Sequence, residues 1–115
     1  MPDLDDLTAA LRTFVAERDW QQFHDPKNLA MLVASEAGEL MAEYRWVHGP
    51  DADAHSHEPR ARARIAAEVA DVAIALLLLC DRIGLNLEQA ITDKLAGNAA
   101  RYPVATSRGR AERPE

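Results

Sequence analysis

The sequence predicts an all-α protein, on three observations. Ala and Leu dominate a composition that is 48% apolar and only 5% aromatic, which favours helices. Apolar residues recur at helical spacing, and no strand pattern interrupts them. Pro26, Pro59, Gly84 and Asn86 stand where helices should start or stop. The length of 115 residues suits one small domain. Its core is small enough that a partner subunit would help it.

Leu4, Leu7, Leu11, Phe14 and Val15 place a first helix over residues 4–18. The pattern breaks from Asp19 to Pro26, a stretch that holds Trp20, Phe23 and His24. A second helix is expected over 26–47, with Asp25 as N-cap and Pro26 at the first helical position. Residues 48–58 are polar, contain Gly49 and Pro50, and read as a loop. A third helix runs over 59–83 and stops at Gly84. Asn86 then caps a fourth, to about Arg101, with Gln89 in a capping-box position and Pro103 beyond its end. The expected architecture is a four-helix bundle within one domain, 1–104, followed by a disordered charged tail, 105–115.

Composition excludes some functions. A formal net charge of −6 without a dense basic run argues against polymeric nucleic acid as partner. Cys80 is the only cysteine, so no internal disulfide is possible, and it reads as a small buried hydrophobe. The apolar run from Val72 to Cys80 is too short to cross a bilayer, and the N-terminus lacks a signal-peptide pattern. A soluble, cytoplasmic protein is expected.

The strongest signal is acid where apolar residues belong. On the second helix, Leu29, Val33, Leu40, Tyr44 and Val47 form the apolar stripe. Glu36 falls inside it, and Glu39 and Glu43 lie along its edge. From Ile65 to Cys80 every residue is apolar except Glu68 and Asp71, so the third helix should be central. Each helix thus carries an acid pair at i, i+3, on one face. Antiparallel packing would bring Glu36, Glu39, Glu68 and Asp71 together. Four carboxylates in a small dry site need cations, and oxygen-only donors suit Mg²⁺ or Mn²⁺. A di-iron bundle would want Glu-x-x-His pairs, and no His stands at that offset. The plainer alternatives are a solvated face, or a salt bridge from Glu68 to Arg64 or Arg82. Asp51, Asp53, His55 and His57 also look like metal ligands but read as solvated loop. Gly38, inside a helix, either permits close helix approach or is incidental.

The segment Ser35-Glu36-Ala37-Gly38-Glu39-Leu40, followed by Glu68-Val69-Ala70-Asp71-Val72, resembles the signature of the MazG-like all-α nucleotide pyrophosphohydrolases. The runs from Glu17 to His24 and from Lys94 to Pro103, with Trp46 after the first acid pair, resemble the dCTP pyrophosphatase branch. The similarity spans residues 4–104. Ser35 stands where many members have Glu, and Leu11 near where that branch can place a base-contacting His.

The resemblance implies Mg²⁺-dependent cleavage of a nucleoside triphosphate between its α- and β-phosphates, with dCTP or a 5-modified dCTP as substrate. It implies metal-binding and catalytic roles for Glu36, Glu39, Glu68 and Asp71, with Glu39 as first choice for the base. Trp20, His24 and Trp46 would enclose the nucleobase. Lys94, Asn98, Arg101 and Tyr102, on one stripe of the fourth helix, would hold the phosphates, although Lys94 and Arg101 could merely answer the helix dipole. A homo-oligomer, a tetramer of paired dimers, is implied too. The rivals are a broader nucleoside triphosphate pyrophosphohydrolase and a catalytically silent helical module.

Overall fold

A computed structural model describes residues 1–112. They contain six α-helices and no strand, so the all-α class holds while the count of four helices does not. The chain divides into two compact units, Met1–Gly84 and Leu85–Glu115.

In the first unit, α1 spans Leu4–Glu17. Asp3 and Asp6 close a reciprocal capping box at its start. Beyond its end Asp19 takes a left-handed backbone with φ 53°, a conformation that Asp tolerates better than most residues. That turn leads to Trp20 and a 3-10 turn, Gln21–Phe23. Helix α2 spans Pro26–Ala42, with the Asp25 side chain accepting from the Asn28 N–H at 2.8 Å.

Helix α2 ends five residues before the expected 47. The N–H groups of Glu43, Tyr44 and Arg45 reach back three residues, to Leu40, Met41 and Ala42, which tightens the chain into turns. Outside partners hold this exit. His55 Nε2–H donates to the Glu43 carbonyl at 3.1 Å. Ser56 gives its proton to the Ala52 carbonyl, so Tyr44 donates to Ser56 Oγ at 2.7 Å. The segment 48–58, expected as loop, is therefore structured. It holds a 3-10 turn, Gly49–Asp51, and a short helix α3, Ala52–His57.

Helix α4, Pro59–Ile83, matches its expected range. The Glu58 carboxylate accepts from the N–H groups of Ala61 (2.8 Å) and Arg60 (3.1 Å). These bonds hold its carboxyl below the usual range. Gly84 ends the helix at φ 68°, where a side chain would be strained. Helix α2 lies antiparallel on α4: Glu43 meets Arg64, Glu36 meets Glu68 and Asp71, and Leu29 shares a cavity with Leu78. The buried core is Val15, Leu29, Ala61, Ala75, Leu77 and Cys80. Val69, Ile74 and Ile83 of α4 stay 49%, 38% and 50% exposed, so within the first unit its apolar circumference is only partly covered.

In the second unit, α5 spans Leu87–Arg101 and α6 Val104–Ser107. Asn86 caps α5 through the Gln89 N–H at 2.9 Å, but Gln89 gives its amide to Asp93 instead of closing the box. Helix α6 overlaps the start of the tail expected to be disordered. The last part of that tail, 113–115, lies outside the described residues.

Candidate metal centre

Each helix delivers its acids by spacing alone. Glu36 sits on the face of α2 turned to α4, and Glu68 and Asp71 lie one turn apart on α4. Glu36, Glu68 and Asp71 each offer a carboxylate oxygen, all within 4.8 Å of one another. Glu36 and Glu68 are half-buried and Asp71 is exposed. Burial, then the charges of Asp71, Glu36, Glu39 and Glu43, push the Glu68 carboxyl above the usual range. No ion pair among the described residues involves Glu36, Glu68 or Asp71. The donor set is all oxygen and its charge uncompensated, which fits a hard divalent cation.

Of the four acids expected together, Glu39 stands outside this group. It is exposed on α2, near enough for its charge to act on Glu68. Neither salt bridge considered for Glu68 forms. Arg64 Nε donates to Glu43 at 3.1 Å, and Arg82 lies 14 residues along α4 from Glu68, about 21 Å at 1.5 Å per residue. Asp51, Asp53, His55 and His57 form no ligand group among the described residues. A Cβ on Gly38 would meet nothing within 4 Å, so close approach within the chain does not require that glycine.

Trp20 and His24 line one cavity of 620 Å³ with Leu11, Phe14, Leu32 and Ile74. Its wall is otherwise apolar, and Ile74 stands one turn of α4 from Asp71. Trp20 also packs edge-on against Phe14, with ring centroids 5.7 Å apart. Trp46 does not line this cavity: it is 87% exposed, with the Arg45 guanidinium 5.4 Å from its ring. In the second unit, Lys94 and Asn98 share a shallow pocket with Ile91 and Leu95. The Arg101 guanidinium lies 5.6 Å from the Tyr102 ring, and the Asn98 carbonyl accepts from the Tyr102 N–H at 2.8 Å. Neither Lys94 nor Arg101 forms an ion pair among the described residues. Sequence reasoning named Glu43 and His55 but not their contacts: the Glu43 side chain accepts from Arg64, and its carbonyl accepts from His55.

Fold and site together define an all-α protein with a cluster of carboxylates between two helices. The family model described as MazG-like matches residues 34–113, and the chain belongs to that family. Its sequence is 39% identical over 110 residues to dCTP pyrophosphatase 1 of Mus musculus, covering 96% of this chain and 65% of that protein. It is 36% identical over 107 residues to the Homo sapiens protein of the same name, covering 93% and 63%. The chain thus spans somewhat under two thirds of these mammalian relatives. A crystal structure of a pyrophosphatase from Archaeoglobus fulgidus superposes with a TM-score of 0.82 at 34% identity, over 90% of this chain and 94% of that one. No helix of the described residues is long and apolar enough to cross a membrane.

Proposed function

We propose that the protein hydrolyses a nucleoside triphosphate, dCTP or a 5-modified dCTP, to the monophosphate and pyrophosphate. One observation carries the reading: Glu36, Glu68 and Asp71 bring carboxylate oxygens within 4.8 Å of one another between two helices, and no ion pair among the described residues involves them. The names of the mammalian relatives and of the archaeal structure support the substrate and the reaction. Glu36, Glu68 and Asp71 would hold Mg²⁺, with Mn²⁺ as substitute, and Glu39, near enough for its charge to act on Glu68, would be the fourth acid. When bound, the ion offsets charge on the phosphate oxygens and lowers the pKa of water.

Glu39 stays outside the tight group, so it is the acid free to take the proton as water attacks the α-phosphorus. The bond from that phosphorus to the bridging oxygen breaks, and pyrophosphate leaves with the electron pair. Trp20 and His24 bound the base site, and Trp46 supplies a further ring. Within the second unit, Lys94 and Arg101 are the candidate phosphate-binding cations, with Asn98 and Tyr102 as candidate hydrogen-bond donors. The exposed Met31, Met41, Val69 and Ile83 support a homo-oligomer, a tetramer of paired dimers, in which a second copy covers them. The protein works in the cytoplasm. The test is product analysis by phosphorus NMR after incubation with dCTP and Mg²⁺. Equal amounts of dCMP and pyrophosphate are expected; dCDP with inorganic phosphate, or intact dCTP, would overturn the reading.

A further inference from the structure

Arg64 lies four residues before Glu68 on α4, which makes the two neighbours on one helix face. The charge around Glu68 invites that guanidinium: every neighbouring charge acting on the Glu68 carboxyl is negative. Yet Arg64 turns to α2, where its Nε donates to Glu43 at 3.1 Å. The Glu43 side chain is only 20% exposed and that of Arg64 56%, so the carboxylate is the more enclosed partner and the guanidinium the more exposed one. Glu43 is seated from both sides. Its backbone lies in the tightened exit of α2, and its carbonyl accepts from His55 Nε2–H at 3.1 Å. Tyr44, next in the chain, is tied to Ser56 of α3.

We infer that Glu43 is a positioning residue that captures Arg64 and so keeps the carboxylates of Glu36, Glu68 and Asp71 free for a divalent cation. The inference rests on the metal reading proposed above. Without Glu43, Arg64 swings to its helix neighbour Glu68 and competes with the metal as an internal cation. Short α3 then has a purpose too: it fixes the α2 exit from which Glu43 reaches Arg64.

The experiment is calorimetric titration of the full chain with Mn²⁺, without nucleotide. Wild type should bind and Glu36→Gln should not. If wild type fails to bind, or Glu36→Gln binds like it, the metal reading itself falls and the inference with it. Given that control, Glu43→Gln should weaken Mn²⁺ binding about tenfold, as loss of a supporting residue outside the ligand shell does. Adding Arg64→Gln to Glu43→Gln should restore wild-type affinity, because the competing cation is gone. Arg64→Gln alone should bind at least as tightly as wild type. An ion pair with so exposed a partner contributes little to folding, so these variants should fold, and matching helical circular dichroism verifies it. Unchanged affinity in Glu43→Gln, or a double variant as weak as Glu43→Gln, would overturn the role assigned to Glu43. The second result would mean that Glu43 supports the site directly.

Discussion

Helix α4 carries acids at both ends of its apolar run, and the two ends treat them in opposite ways. Asp81 receives Arg12 from α1, whose Nε donates at 2.9 Å, and the contact raises the affinity of Arg12 for its proton. Glu68 and Asp71 receive no cation and face Glu36 instead. A paired acid at a helix contact serves structure. A cluster of like charges works against folding, so its presence at a helix contact, with no cation paired to it, points to a ligand. The same contrast runs along the α2·α4 contact, from Leu29 at the packed end to Glu36 at the charged end.

Breaking the charged end should have the largest effect on function and little on the fold. Glu36→Gln and Asp71→Asn should each lower dCTP turnover by at least about a thousandfold, roughly 4 kcal/mol of barrier. Metal-free melting temperatures should hold or rise, because one of several repelling charges is gone. Near-normal turnover in either variant would remove the acid cluster from the mechanism.

Breaking the packed end should do the reverse. Leu29 is 1% exposed, so Leu29→Ala should cost about 2–5 kcal/mol of stability. Chemical denaturation measures it, and Mn²⁺ affinity of the folded fraction should be unchanged. A loss below about 0.5 kcal/mol, the range of neutral surface changes, would mean that this end is not the core.

The proposed substrate groups sort by chemistry, and kinetics on dCTP, dTTP and dATP at fixed Mg²⁺ can test the sorting. Trp20→Ala should remove roughly 1–3 kcal/mol of binding in a base-dependent way, while Lys94→Ala should lower all three substrates without reordering them. If Trp20→Ala scales every substrate alike, its ring serves only to pack Phe14.

A smaller effect is set by pH. Glu68 has its folded pKa raised above the ordinary 4.5. Its protonated form is favoured in the folded state, so its contribution is fully present below the unfolded pKa and lost as pH rises through the folded one. Glu58 has the opposite sign: its lowered pKa contributes above the ordinary value and is lost as pH falls through the folded one. Metal-free Glu68→Gln should therefore gain melting temperature relative to wild type as pH rises from about 4 to 7, through and above the ordinary carboxylate range. A gap independent of pH would contradict the charge assigned to Glu68.

Where strong punctuation marks the chain, the fold was legible. Pro59 and Gly84 bound α4 as expected, and Asn86 starts α5. Helix α2 was read too long because Tyr44 and Val47 keep the helical period through turns tightened by contacts with α3. Helix α3 escaped notice because its residues are polar and sit between Pro50 and Pro59. In the site, Glu36, Glu68 and Asp71 were legible as acids on apolar faces. Glu39 was not separable from them, since i, i+3 spacing fixes a shared face but not a shared distance. The capture of Arg64 by Glu43 depends on a contact between residues 21 apart, which no local pattern encodes.

Under the proposed function, the acid cluster is a divalent cation site that exists only in the folded protein. The direct test is melting temperature against Mg²⁺ concentration for wild type and Glu68→Gln. Wild type should rise with Mg²⁺, gaining about 2.7 kcal/mol at a hundred times the dissociation constant, and Glu68→Gln should respond far less. Equal responses in the two proteins would contradict the account and place the metal elsewhere.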